Sequence, residues 1–198
     1  DDDRERARLL RAASTASVLV AMTLAALKFW AWQDTGSVSL LGSLADSLLD
    51  LAASLLTFWA VRFSLSPADA EHRFGHVKSE GLAALLQALA IGGSGAFVCV
   101  EAVRRLVTPQ PIASPEVGIA VVLFASALSL ALVAFQRYVT RRTGSVAIDG
   151  DSLHYGSDIV VNLAVAAAIG IATVTGWTMV DPLTGLAVAA WIFYSSWG

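Results

Sequence analysis

The pattern along the chain is six stretches of roughly 20 or more mostly apolar residues separated by short polar clusters. Each is long enough to cross about 30 Å of hydrocarbon as a helix. They run from Leu10 to Trp32, Val38 to Phe63, Gly81 to Val107, Pro115 to Tyr138, Ala147 to Thr175 and Trp177 to Trp197. The fifth and sixth are separated only by Gly176 and Trp177, so a sixth helix starting near Pro182 is the alternative register. The pattern predicts an all-α membrane protein in which residues 1–198 form one transmembrane domain, a bundle of six transmembrane helices.

Composition agrees: 56% of residues are apolar and 15% charged, against about 25% charged in soluble domains. The first apolar run follows a charged head from Asp1 to Arg11 and is too long for a signal-peptide core. The net charge of -3 is less informative than where the charges lie. Lys and Arg accumulate on cytoplasmic loops. Ten fall at the N-terminus (Arg4, Arg6, Arg8, Arg11), the second loop (Arg62, Arg73, Lys78) and the fourth loop (Arg137, Arg141, Arg142), against two on the other side, Arg104 and Arg105. Both termini are therefore expected in the cytoplasm, with the chain multi-pass and lipid as its surroundings. Nothing supports a nucleic-acid partner. The chain opens on Asp rather than Met and stops just after an apolar run, so a further soluble domain is expected to be missing.

A carboxylate at the bilayer centre costs on the order of 3 kcal/mol even on the lenient insertion scale, so each buried one asks for a reason. The second helix carries Asp46 and Asp50 at i and i+4, on one face, with Ser43 a turn earlier. The fifth repeats the spacing with His154 and Asp158, and Asn162 follows one turn on. Two antiparallel or parallel helices that each offer such a pair can converge four side chains on one point, the geometry of a tetrahedral cation site. Three carboxylates and an imidazole suit Zn2+, Cd2+, Fe2+, Co2+ or Mn2+ as substrate. Cys99, the single cysteine, excludes a thiolate site within one chain. In the second loop, Asp69, His72 and His76 have the spacing to hold another cation. Glu101 stands three and four residues before Arg104 and Arg105, which reads as local ion pairing. Lys28 is expected to snorkel toward the interface, and Asp149 with Asp151 to cap the fifth helix. The small residues Gly92, Gly93, Ser94, Gly95 and Ala96 allow close backbone approach, within the bundle or in a dimer.

At these residues the sequence resembles the cation diffusion facilitator family, in particular its bacterial zinc and ferrous-iron efflux branch. The matching strings are Gly36-Ser37-Val38-Ser39, Leu44-Ala45-Asp46-Ser47-Leu48-Leu49-Asp50, Asp69, His72-Arg73-Phe74-Gly75-His76-Val77-Lys78-Ser79-Glu80 and Leu153-His154-Tyr155-Gly156-Ser157-Asp158. The resemblance implies a transport site at Asp46, Asp50, His154 and Asp158, and a second site at the cytoplasmic surface at Asp69, His72 and His76. A histidine at position 154 is what it associates with zinc and cadmium preference. It further implies a homodimer, proton antiport, Lys78 in a charge interlock between protomers, and Leu153 in an apolar gate. The family's cytoplasmic C-terminal domain is expected to be absent from this chain.

The expected function is divalent cation efflux, with Zn2+ as the favoured substrate and protons as counter-ion, by a secondary active transporter rather than an enzyme. An intramembrane metalloprotease would carry a His-Glu-x-x-His string, and none occurs. A membrane metal sensor that binds without transporting is the alternative.

Overall fold

The computed structural model describes residues 2–64, 92–93 and 95–197, and every regular element among them is helical. The helices are α1 (Asp2–Thr35), α2 (Val38–Ser64), a helical segment α3 (95–107), α4 (Pro115–Thr143), α5 (Val146–Thr175) and α6 (Val180–Trp197). Four helices are long and apolar enough to cross a membrane, over Arg4–Thr35, Val38–Arg62, Pro115–Thr143 and Val146–Thr175; the apolar part of α6, Val180–Tyr194, is shorter. Leu19, Met22, Phe124, Leu130, Leu163 and Ile171 lie exposed on outward faces, a pattern that lipid favours and water does not.

α1 and α2 form one antiparallel hairpin and α4 and α5 another; α1 packs on α4, α2 on α5, and α6 closes against both α2 and α5. The apolar core is layered. One cluster joins Leu40, Leu41 and Leu44 of α2 to Val161, Val165 and Ile169 of α5 and Val188 and Ile192 of α6. Another, around Leu10, Val61, Val139 and Ile148, closes the opposite end. Asp46, Asp50, His154 and Asp158 fall between these two levels in the sequences of α2 and α5.

The elements are longer than the apolar runs at two places. α1 begins at Asp2 rather than near Leu10, because its charged first turns dock on the end of α4: Arg6 Nε donates to the Thr143 carbonyl at 3.3 Å and Arg142 pairs with Glu5 at 3.4 Å. α4 continues past Tyr138 to Thr143, where Gly144, at φ 65°, donates its N–H to the Thr140 carbonyl. That left-handed position is the usual glycine stop of a helix. Conversely, the sixth helix starts at Val180 and not at Trp177. Gly176 ends α5 in the same left-handed way, and the next turn swings Asp181 beneath the start of α2.

Asp181 is 3% exposed. Its Oδ1 accepts from the Ser37 and Ser39 hydroxyls, both at 2.5 Å, and from Ser39 N at 3.2 Å, while Oδ2 accepts from Val38 N at 2.7 Å. A carboxylate from α6 thus caps the first turn of α2, where backbone N–H groups have no partner inside the helix. The same end is drawn tighter at Gly185, where an added Cβ would meet the Val38 carbonyl oxygen at 2.9 Å. At Gly95 of α3 a Cβ would collide with the Phe193 ring. Part of the small-residue stripe therefore serves packing of α3 on α6.

Candidate metal centre

Asp46 and Asp50 occupy successive turns of α2, and His154 and Asp158 successive turns of α5. Because α2 and α5 pack together, their carboxylates and the imidazole meet inside the bundle. Asp46 is 7% exposed, Asp50 1% and Asp158 3%. One ligand atom from each of Asp50, His154 and Asp158 lies within 4.8 Å of the other two. Two ligands each about 2.1 Å from one ion are no more than about 4.2 Å apart, so small side-chain adjustments suffice to close the cluster on a cation. His154 Nε2 stands 2.5 Å from Asp50 Oδ1. Of the four expected ligands, the structure brings Asp50, His154 and Asp158 into one compact group, while Asp46 is buried one turn before Asp50 on α2 and stands outside that group.

The donor chemistry fits a cation. Apart from the His154 approach, both Asp50 oxygens lack a hydrogen-bond partner among the described residues, as do Asp158 Oδ2 and Asn162 Nδ2. Buried carboxylate oxygens left bare are costly, and a divalent ion satisfies them at once. Ser43 donates to Asn162 Oδ1 at 2.9 Å, tying α2 to α5 one turn from the cluster. The cluster opens on the histidine side: the His154 side chain is 41% exposed against 1% for Asp50. Leu153, the residue before it, is exposed and lines a cleft of about 540 Å³ between α5 and α6, with Arg137, Ser157 and Trp191. Asp69, His72, His76 and Lys78 lie outside the described residues.

Lys28 does not snorkel. It is 1% exposed, and Nζ donates to Ser47 Oγ at 2.7 Å and to the Ser43 carbonyl at 3.3 Å. The reason is helical phase: Ser14, Ser17, Ala21, Leu24, Lys28, Ala31 and Thr35 form one buried stripe of α1 at alternating three- and four-residue spacing. That spacing was the signal in the sequence for an inward-facing lysine.

Asp151 likewise does not cap α5. Ser145 does, its side chain accepting from Ile148 N. Asp151 is 6% exposed and belongs to a buried network one turn before His154. Gln136 Nε2 donates to Asp151 Oδ2 at 2.6 Å and to Ser17 Oγ at 2.9 Å. Ser54 Oγ lies 3.5 Å from Asp151 Oδ1 and 3.0 Å from the Tyr155 hydroxyl, which donates to the Ser17 carbonyl at 3.0 Å. This network joins α1, α2, α4 and α5 below the cluster. Gln136→Leu is expected to cost about 1–3 kcal/mol of stability, because it strips a buried carboxylate of its donor. Reversible denaturation in detergent micelles checks this; an unchanged midpoint would show that Asp151 finds another partner. Glu101 pairs with Arg104 at 3.5 Å and Arg105 at 3.6 Å, as its spacing implied.

A family model for the cation efflux transmembrane domain matches residues 14–198. The chain is 46% identical over 189 residues to the cation-efflux pump FieF of Citrobacter koseri, covering 96% of this chain and 63% of that protein. It is 46% identical over 194 residues to the cation-efflux pump FieF of Yersinia enterocolitica, covering 98% of this chain and 64% of that protein. The chain thus spans just under two thirds of the length of these curated relatives. With a match over nearly all of its residues and four apolar spans around a carboxylate and histidine cluster, the chain belongs to the cation diffusion facilitator family, as a cation efflux transmembrane domain.

Proposed function

We propose that this chain moves divalent metal cations out of the cytoplasm across a bacterial inner membrane, with zinc as the favoured substrate and protons moving in exchange. The observation that carries the reading is the convergence of Asp50, His154 and Asp158 in the interior of the bundle, with Asp46 beside them. Relatives named as cation-efflux pumps support it. In this reading six helices span the bilayer, both termini are cytoplasmic, and the transport site is Asp46, Asp50, His154 and Asp158.

A cation sheds water for three carboxylates and the imidazole as protons leave them, since metal ligation requires the deprotonated forms. His154 is suited to the coupling, because an imidazole with an unperturbed pKa of about 6.5 changes charge in the working pH range. Its greater exposure makes the His154 side the route of exchange, with Leu153 as gate at the cleft. Movement of α2 and α5 against the rest of the bundle would alternate access between the two sides. Asp69, His72 and His76 would form a second cytoplasmic site, and Lys78 an interlock in a homodimer. No step here makes or breaks a covalent bond, so the chain is a secondary transporter rather than an enzyme.

Competitive uptake of zinc and manganese into proteoliposomes tests the reading. His154→Asp replaces a borderline nitrogen ligand by a hard oxygen, which suits manganese better. The preference for zinc over manganese is expected to fall about tenfold, equivalent to about 1.4 kcal/mol. An unchanged preference would remove His154 from the ligand set; metal binding without uptake would favour a sensor.

A further inference from the structure

We propose that Lys28 is a built-in counter-charge that fixes the charge preference of the transport site, so that the site is balanced by a cation of charge two. The proposal rests on the assignment of Asp46, Asp50, His154 and Asp158 to that site. Three observations carry it. Lys28 is the only lysine or arginine buried among the described residues. Among the described residues its ammonium is not paired with a carboxylate: it is held by Ser47 Oγ at 2.7 Å and the Ser43 carbonyl at 3.3 Å, groups that flank Asp46 on α2. Finally, Ser47 adjoins Asp46 in the chain, and Ser43 donates to Asn162 Oδ1 one turn beyond Asp158, so the groups that hold the ammonium belong to the stretch of α2 that faces the site residues of α5.

The charge balance follows. Three ionised carboxylates and a neutral imidazole carry three negative charges; a divalent cation cancels two, and Lys28 cancels the third. Without Lys28 the loaded site would keep a net negative charge in the bilayer interior, where uncompensated charge is expensive. With Lys28 a trivalent ion overfills the site and a monovalent ion underfills it. The two other strongly buried acids sit in hydrogen-bond networks of their own, Asp151 with Gln136 and Ser54 and Asp181 with Ser37, Val38 and Ser39, and the balance is that of the ligand set and Lys28 alone. Lys28 touches no metal in this scheme. It is a positioning residue whose fixed charge acts through space, and the two α2 groups that hold its ammonium keep that charge at a constant place.

Zinc and terbium(III) binding to the detergent-solubilised chain provide the test, with binding that persists in Asp158→Ala subtracted. A fixed positive charge repels a trivalent ion half again as strongly as a divalent one. In Lys28→Met the ratio of terbium to zinc association constants is therefore expected to rise tenfold or more. Lys28→Arg, which keeps the charge, should stay within about twofold of the unsubstituted chain. Lys28→Gln removes the charge but keeps a donor for Ser47; it should behave as Lys28→Met does and serves if the methionine variant does not fold. A lysine that merely braced α1 against α2 would change both constants together and leave the ratio alone, and that result overturns the proposal. If Asp158→Ala binds zinc as tightly as the unsubstituted chain, the site assignment fails instead.

Discussion

Asp50→Ala and Asp158→Ala are each expected to weaken zinc binding at the membrane site by about 100-fold or more. Loss of an outer partner of a metal ligand already costs 10–100-fold, and these residues would be ligands themselves. Asp50 contributes two oxygens without a hydrogen-bond partner and the 2.5 Å approach to His154. Asp158 offers a ligand atom within 4.8 Å of those of Asp50 and His154, and its Oδ2 has no hydrogen-bond partner among the described residues. Removing either leaves the remaining acids facing one another without the ion that would reconcile them. Relief of that repulsion should leave the apo fold intact or slightly stabilised. Isothermal titration of zinc and a thermal melt of the same samples separate the outcomes. Loss of binding with an unchanged melt supports ligation; loss of both would make the cluster structural.

Asp181→Ala is expected to be the most damaging substitution for stability, at about 3 kcal/mol. Two hydroxyls and two backbone N–H groups lose a common acceptor, and a buried donor left unsatisfied costs about 1–3 kcal/mol. The penalties do not simply add. Ser37 and Ser39 hydroxyls lie 3.1 Å apart and can turn toward each other, whereas Val38 N has no second acceptor within the described hydrogen bonds. Asp181→Asn keeps the shape but turns an amide donor toward other donors, so it should recover only part of the loss. The effect should appear in denaturation of the whole bundle, since Asp181 joins the start of α2 to α6. A change under about 1 kcal/mol would show that water or the serines replace the carboxylate.

The long apolar helices and the group of Asp50, His154 and Asp158 were legible in the sequence for different reasons. Residues 81–91 of the third run lie outside the described residues and the apolar part of the sixth helix is shorter, but apolar runs gave the four helices long enough to cross a membrane, because hydropathy reports the solvent. It does not report helices that leave the bilayer, so the charged start of α1 and the end of α4, held together by Arg6, Glu5 and Arg142, were missed. The i, i+4 pairs pointed to the group, because that spacing places side chains on one face whatever the surroundings, although Asp46 stands outside its compact part. Lys28 and Asp151 were misjudged by residue type: a lysine near a helix end suggests snorkelling and an acid in the first turns suggests a cap. Their helical phase carried the better information. Lys28 shares a buried stripe with Leu24 and Ala31, and Asp151 shares one with Tyr155, Asp158 and Asn162. Asp181 could not be placed from the sequence, since its partners on α2 lie more than 140 residues away.

The most direct measurement is zinc flux into proteoliposomes holding this chain, driven by an imposed pH gradient and compared with Asp50→Ala and Asp158→Ala. Gradient-dependent zinc accumulation that both substitutions abolish is the expected result, and it would establish a proton-coupled transporter working through this cluster. Undiminished flux in either variant would contradict the assignment of the route to Asp46, Asp50, His154 and Asp158.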